Sequence, residues 1–281
     1  MLEINDLCFG YSKKSSLFNS LNLDLTQGQI CGLLGKNGSG KTTLLKIISG
    51  LIFPESGSCQ VMGQIPQRRH PSFLREIFLL PEDLAVPALT TDDYVKFYSF
   101  FYPRFDHTLF QQCLSEFELP VNKLLTNFSY GQKKKFLIAF GIATNCRLFI
   151  LDEPTNGLDI PSKAQFRKLL ASAITSEKLF IISTHQVHDV ENLIDLIVIL
   201  DEGKIIFQQS LFEVIKNFAF VHSQVQPDPT ECLFYEKHLS GYTAMIYNKN
   251  EQETNVNLEI LFNAILATKN QNVKILSGKN V

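Results

Sequence analysis

The sequence carries two short stretches whose residue types suit phosphoryl chemistry. In GKNGSGKT, Gly35 to Thr42, a glycine-spaced loop ends in a lysine and a threonine. Gly35, Gly38 and Gly40 let backbone N–H groups curl around phosphate oxygens where a Cβ would be in the way. Lys36, Asn37 and Ser39 fill the loop between them, and Thr43 follows directly. In a loop of this kind the Lys41 ammonium reaches the β- and γ-phosphates and the Thr42 hydroxyl ligates Mg²⁺. The N-terminus of the helix expected to follow the loop adds the positive end of its dipole.

The second stretch is RLFILDEPTNGLD, residues 147–159. Four apolar residues lead into Asp152 and Glu153. A buried strand ending in two carboxylates delivers them to the C-terminal edge of a sheet, where α/β proteins bind ligands. There Asp152 would hold Mg²⁺ through water, and Glu153 would polarise an attacking water as general base. D-E-P could equally be a helix N-cap cluster; the glycine loop favours the catalytic reading.

A third string, FSYGQKKKF (residues 128–136), places Ser129 before a helix-like run and three lysines just inside it. Ser129 is a good N-cap, and a bare helix N-terminus attracts anions. Cations there work against the helix dipole. Lys133, Lys134 and Lys135 therefore suggest either a polyanion met at this helix end or a solvated basic face.

These residues need rigid elements to hold them. QICGLLG (29–35), RLFILD (147–152), LFIIST (179–184) and LIVILD (196–201) are short continuous apolar runs. Such runs signal parallel strands covered on both faces. TTLLKIISGL (42–51) has helical spacing, and similar segments separate the strands, so the fold class is α/β. Residues 85–140 are rich in Phe and Tyr and read as helices inserted between strands. LDEGKIIF (200–207) reads as a tight hairpin. Near residue 216 the pattern changes: ECLFYEKHLSGYTAMIYN reads as two strands around an S-G turn, and VNLEILFNAILATK as a helix. The expected division is 1–215 and a small αβ extension over 216–281.

Composition narrows the classes. The 281 residues are 45% apolar and 19% charged, with a net charge of -2. This describes a globular chain with a substantial core, not one that binds nucleic acid through charge alone. Six scattered cysteines without a C-x-x-C pair fit reduced thiols of a cytosolic protein better than a disulfide frame or a zinc site. The N-terminus does not read as a signal peptide, and no apolar run approaches the roughly 18 residues of a membrane span.

With these motifs in this order, residues 1–215 resemble the ATP-binding cassette ATPases. The resemblance implies a P-loop NTPase core with a parallel sheet, a small antiparallel β subdomain, an inserted helical subdomain, and ATP with Mg²⁺ as ligands. FSYGQ is similar to the family's signature sequence, L-S-G-G-Q. It implies that Ser129, Gly131 and Gln132 contact the γ-phosphate of ATP held by a second copy. Tyr130 replaces one signature glycine, so its side chain must point away from the nucleotide. The family pattern also implies that Tyr11 stacks on adenine, that Asp159 communicates across the dimer, and that His185, about 26 residues further on, touches the γ-phosphate as a switch. In FLLPEDL (78–84), Glu82 stands where the family has Gln. A carboxylate there ligates Mg²⁺ more strongly but adds negative charge near the γ-phosphate, which bears on turnover.

Two functions fit the resemblance. One is the ATPase subunit of a transporter, peripheral on the inner face of the cell membrane through a transmembrane permease, working as a homodimer or related heterodimer and without nucleic acid. NLEILFNAI is similar to the short ending of cassettes that serve small exporters. The other is a soluble cassette acting on ribosomes, DNA ends or iron–sulfur assembly. Those proteins often have tandem cassettes or a coiled-coil arm, and the roughly 90 residues between Lys41 and Ser129 leave no room for an arm. Transport is the expected function.

Overall fold

The computed structural model describes residues 1–12, 15–228, 230, 232–248 and 254–268. In chain order the strands are β1 (Leu2–Ser12), β2 (Ser15–Leu25), β3 (Gln29–Leu34), β4 (Ser56–Val61), β5 (Ile77–Leu80), β6 (Leu148–Asp152), β7 (Leu179–Thr184), β8 (Leu196–Asp201), β9 (Lys204–Ser210), β10 (Phe218–Ser223), β11 (Phe234–His238) and β12 (Gly241–Tyr247). The helices are α1 (Lys41–Ile48), α2 (Pro71–Leu74), α3 (Thr91–Tyr98), α4 (His107–Glu116), α5 (Tyr130–Ala143), α6 (Ile160–Ala173), α7 (Leu211–Asn217) and α8 (Leu258–Thr268).

The four apolar runs are neighbouring strands of one six-stranded sheet, ordered β5-β6-β7-β3-β8-β9. Its pairings are parallel except for β8 with β9. Side chains alternate between two cores, as the two-residue period of a strand requires. Phe149, Leu151, Phe180, Ile182, Ile197 and Ile199 face one core, shared with α4, α5, α6 and α8. Leu148, Ile150, Leu179, Ile181, Val198 and Leu200 face the other, which includes α1 and the antiparallel sheet β2-β1-β4. Burial on both faces is why these strands read as unbroken apolar runs.

The fold is therefore mixed α/β, with a parallel sheet, antiparallel strands and helices. α3, α4 and α5 lie between β5 and β6. α5 packs closely on the sheet because residue 141 is glycine. A Cβ there would sit 2.4 Å from the Phe78 ring and 2.6 Å from the Phe149 ring, two rings stacked at 5.1 Å. The β8–β9 hairpin turns at Glu202 and Gly203, both at positive φ, as a tight hairpin demands.

A third sheet, the antiparallel β10-β12-β11, follows α7, and α8 contacts β11 and β12. The expected pair of strands is β11 and β12. β10 and α7 were not expected, because in LFEVIKNFAF only Asn217 marks the change from helix to strand and no glycine or proline does. Residue 269 and those after it, the end of the expected extension, lie outside the described residues.

Candidate functional site

The glycine loop joins β3 to α1. Gly38 and Gly40 have φ of 81° and 108°, the left-handed region that glycine adopts without strain. No side chain caps α1. The first N–H groups of α1 have no partner within the helix, so they are available to an anion. Lys41 is buried, and its ammonium folds over the loop, donating to the carbonyls of Gly35 at 2.7 Å and Lys36 at 3.2 Å. Burial lowers its pKa; Glu153, Asp152 and Glu82 nearby pull the other way.

The sheet brings the two carboxylates to this lysine. β6 ends at Asp152, beside the end of β7. Thr42 Oγ1 donates to Asp152 Oδ2 at 2.7 Å, and Ser183 Oγ to Asp152 Oδ1 at 2.5 Å. Glu153 is 4% exposed. Its Oε1 accepts from the backbone N–H of His185 at 3.1 Å, lies 2.8 Å from His185 Nδ1, and is 3.9 Å from the Lys41 ammonium. Its Oε2 is buried without a partner, as is the Ser39 hydroxyl. A buried polar atom of this kind calls for a ligand or water.

Tyr11, Asn37, Gly38, Gly40, Lys41, Thr42, Thr43, Glu82, Glu153 and His185, all expected, line one pocket of about 510 Å³ with Ser15 and Leu17. Tyr11 is 67% exposed, its hydroxyl 2.9 Å from Thr43 Oγ1 and its ring edge-on to Phe9. This leaves a face of the ring open. Glu82 turns toward the pocket, with Asn156 Nδ2 donating to its Oε1 at 3.4 Å.

The signature residues do not line that pocket. Ser129 caps α5 with a complete capping box: its Oγ accepts from Gln132 N, and Gln132 Oε1 accepts from Ser129 N. Gly131 packs where a Cβ would lie 2.9 Å from the Gly157 carbonyl. Asp159 caps α6 by accepting from Ser162 N, and hydrogen bonding to Ser162 lowers its pKa.

The structure corrects the reading of the lysine run. Lys134 is fully buried, and it donates to the carbonyls of Glu153 and Asn156 at 2.9 and 3.0 Å. Lys135 donates to the Phe117 carbonyl. Neither is on a solvated face, because each ammonium is drawn to otherwise available carbonyls. Tyr130 points away from the helix end, its hydroxyl donating to the Glu82 carbonyl at 2.7 Å. Ser183, Tyr130, Asn156 and Lys134 were missed as site residues. Ser183 had a signal, a polar residue in the apolar run LFIIST; the others depend on loop packing.

The arrangement is that of a nucleotide site at the C-terminal edge of a parallel sheet. The family model described as ABC transporter matches residues 18–156. The lantibiotic transport ATP-binding protein SrtF of Streptococcus pyogenes is 33% identical over 212 residues, covering 74% of this chain and 90% of that protein. The bacitracin transport ATP-binding protein BcrA of Bacillus licheniformis is 30% identical, covering 85% and 79%. A solved ATP-binding subunit of an ABC transporter superposes with a TM-score of 0.70 at 25% identity, covering 76% of this chain and 91% of that one. The chain belongs to the ABC transporter ATP-binding family and is an ATPase.

Proposed function

We propose that this chain is the ATP-hydrolysing subunit that powers a separate membrane permease, acting as an exporter through ATP-driven pairing of two cassettes. The carrying observation is an apolar groove of about 770 Å³ away from the nucleotide pocket. Its lining includes Tyr98 at the end of α3, Phe100, Phe101 and Tyr102 just after it, and Arg69 and Arg75 on either side of α2. Phe100 is 85% exposed and Phe101 64%. A groove lined by exposed aromatics and two arginines suits a cytoplasmic permease helix with an apolar face and acidic flanks. Among the described residues no helix is long and apolar enough to cross a membrane. The SkfA peptide export ATP-binding protein SkfE of Bacillus subtilis, 31% identical over 66% of this chain and 79% of that protein, supports export.

In this reading Tyr11 stacks on adenine and the loop from Gly35 to Thr43 cradles the phosphates. Thr42, Asp152 and Glu82 would hold Mg²⁺ through the hard oxygens it prefers, and the ion would supply positive charge against the phosphates. Glu153 Oε2 accepts a proton from water as the water oxygen bonds to the γ-phosphorus. The bond from that phosphorus to the β–γ bridging oxygen breaks, leaving ADP and phosphate. His185 orients Glu153 and touches the γ-phosphate. Ser129, Gly131 and Gln132 meet the ATP of a second copy, and Asp159 lies at the junction. Residues 216–281 form a C-terminal extension beyond the ATP-binding domain, 1–215.

The test is co-purification with the membrane protein encoded beside it. Phe100→Asp with Phe101→Asp should abolish capture and leave ATP affinity unchanged. Equal capture of both forms would remove the docking assignment.

A further inference from the structure

We infer that Lys134 is a positioning residue for hydrolysis, its ammonium fixing the backbone turn that carries Glu153. The inference rests on the reading of Glu153 as the base.

Glu153 has φ of 46°, a left-handed conformation costly for a residue with a Cβ. Such a conformation persists only where its surroundings hold it. Here the peptide is gripped on both sides. The Glu153 N–H donates to Ser183 at its carbonyl and hydroxyl, at 3.1 and 3.2 Å. The Glu153 carbonyl accepts from Lys134 Nζ, and Asn156 N closes the turn on the same carbonyl at 3.3 Å. Lys134 also takes the Asn156 carbonyl, so one ammonium ties both ends of the Glu153–Asn156 turn. The Tyr130 ring lies 5.0 Å from this ammonium and presents its π system to it.

Burial works against the charge on Lys134, and Glu82, Glu153 and Asp152 nearby favour it, yet its direct hydrogen bonds go to backbone carbonyls. Lys134 is fully buried and its hydrogen-bond partners are neutral carbonyls. An apolar side chain of the same length would fill the space without the desolvation cost of a charge. What the ammonium provides and methionine does not is a fixed place for two carbonyls. The Glu153 carboxylate is thereby kept on His185 with Oε2 free for water.

The position of Lys134 adds a consequence. It lies in the first turns of α5, the helix that Ser129 caps. One side chain thus ties the helix start that Ser129 caps to the turn that carries Glu153. The contacts of Tyr130 with the Glu82 carbonyl and of Asn156 with the Glu82 carboxylate tie the remaining loop into the same group.

The experiment compares steady-state turnover and ATP binding of full-length wild type, Lys134→Met, Glu153→Gln and the double variant. Lys134→Met should lower kcat by about ten- to a hundredfold, the scale on which a misplaced catalytic group costs rate. KM and calorimetric ATP affinity should stay within about twofold, and the double variant should match Glu153→Gln alone, since residues acting as a unit are not additive. Lys134→Gln, with shorter-reaching donors, is read on the same split should the methionine variant fail to fold. Wild-type kcat in a folded Lys134 variant overturns the inference and leaves the base assignment intact. So does loss of ATP affinity parallel to kcat, or a double variant well below Glu153→Gln. Wild-type turnover in Glu153→Gln removes the base and the inference together.

Discussion

Thr42 Oγ1 donates to Asp152 Oδ2 at 2.7 Å across 110 residues of chain. The contact joins the start of α1 to the end of β6, so two oxygens suited to a hard cation meet beside the phosphate loop. Asp152→Asn should keep ATP binding measured without Mg²⁺ and lose turnover by on the order of a hundredfold or more, since one metal-holding charge is gone. Turnover within a few fold of wild type at low Mg²⁺ would remove Asp152 from the metal site.

Glu82 lines the nucleotide pocket, at a position where the family resemblance implies a neutral Gln. Glu82→Gln should preserve ATP affinity and raise the Mg²⁺ concentration for half-maximal turnover by about two- to tenfold, because a metal-facing charge is lost. A superimposable Mg²⁺ titration would show that the carboxylate serves Asn156 and not the ion.

The trans role of Ser129 depends on a sandwich of two cassettes around two ATP molecules. Glu153→Gln removes the base and keeps the shape, so an ATP-bound dimer should accumulate and be visible by light scattering. Adding Ser129→Arg puts a bulky cation where the γ-phosphate must approach, and the dimer should disappear. A double variant that dimerises as well as the single one would reduce Ser129 to a helix cap.

Gly141 is a contest between propensity and space. Alanine in a helix interior gains up to about 1 kcal/mol over glycine. A Cβ 2.4 Å from Phe78 forces two stacked rings apart, and such overpacking costs about 1–3 kcal/mol. Gly141→Ala should therefore lower stability, measured by urea unfolding; a rise would mean that α5 lifts freely off the sheet.

His188 links the loop after His185 to α8. Its Nε2 is 2.7 Å from Glu259 and its Nδ1 3.6 Å from Glu191, while Lys163 and Asp189 pair alongside. The hydrogen bond to Glu259 raises its pKa above the ordinary 6.5. The contribution to stability is therefore full below that value and fades as pH rises through the folded-state pKa. Exposure and screening keep it under about 1 kcal/mol. The Tm advantage of wild type over His188→Ala should shrink between mildly acidic and mildly alkaline pH, and a constant difference would show that His188 acts through packing.

The phosphate loop, the two carboxylates and the strands that carry them were legible in the sequence because each is a local pattern. A glycine spacing sets a loop, and a run of apolar residues sets a doubly covered strand. Ser129 was likewise readable as a cap, since capping is settled within four residues. The destination of Lys134 was not. A lysine after a signature-like string has ample reach, and only the folded neighbourhood of Glu153 and Asn156 provides the two carbonyls that draw it inward. The buried, unpartnered Oε2 of Glu153 and the meeting of Thr42 with Asp152 were decided by tertiary structure for the same reason: each depends on strand order in the parallel sheet, and contacts between segments so far apart in the chain are set by how the whole core packs.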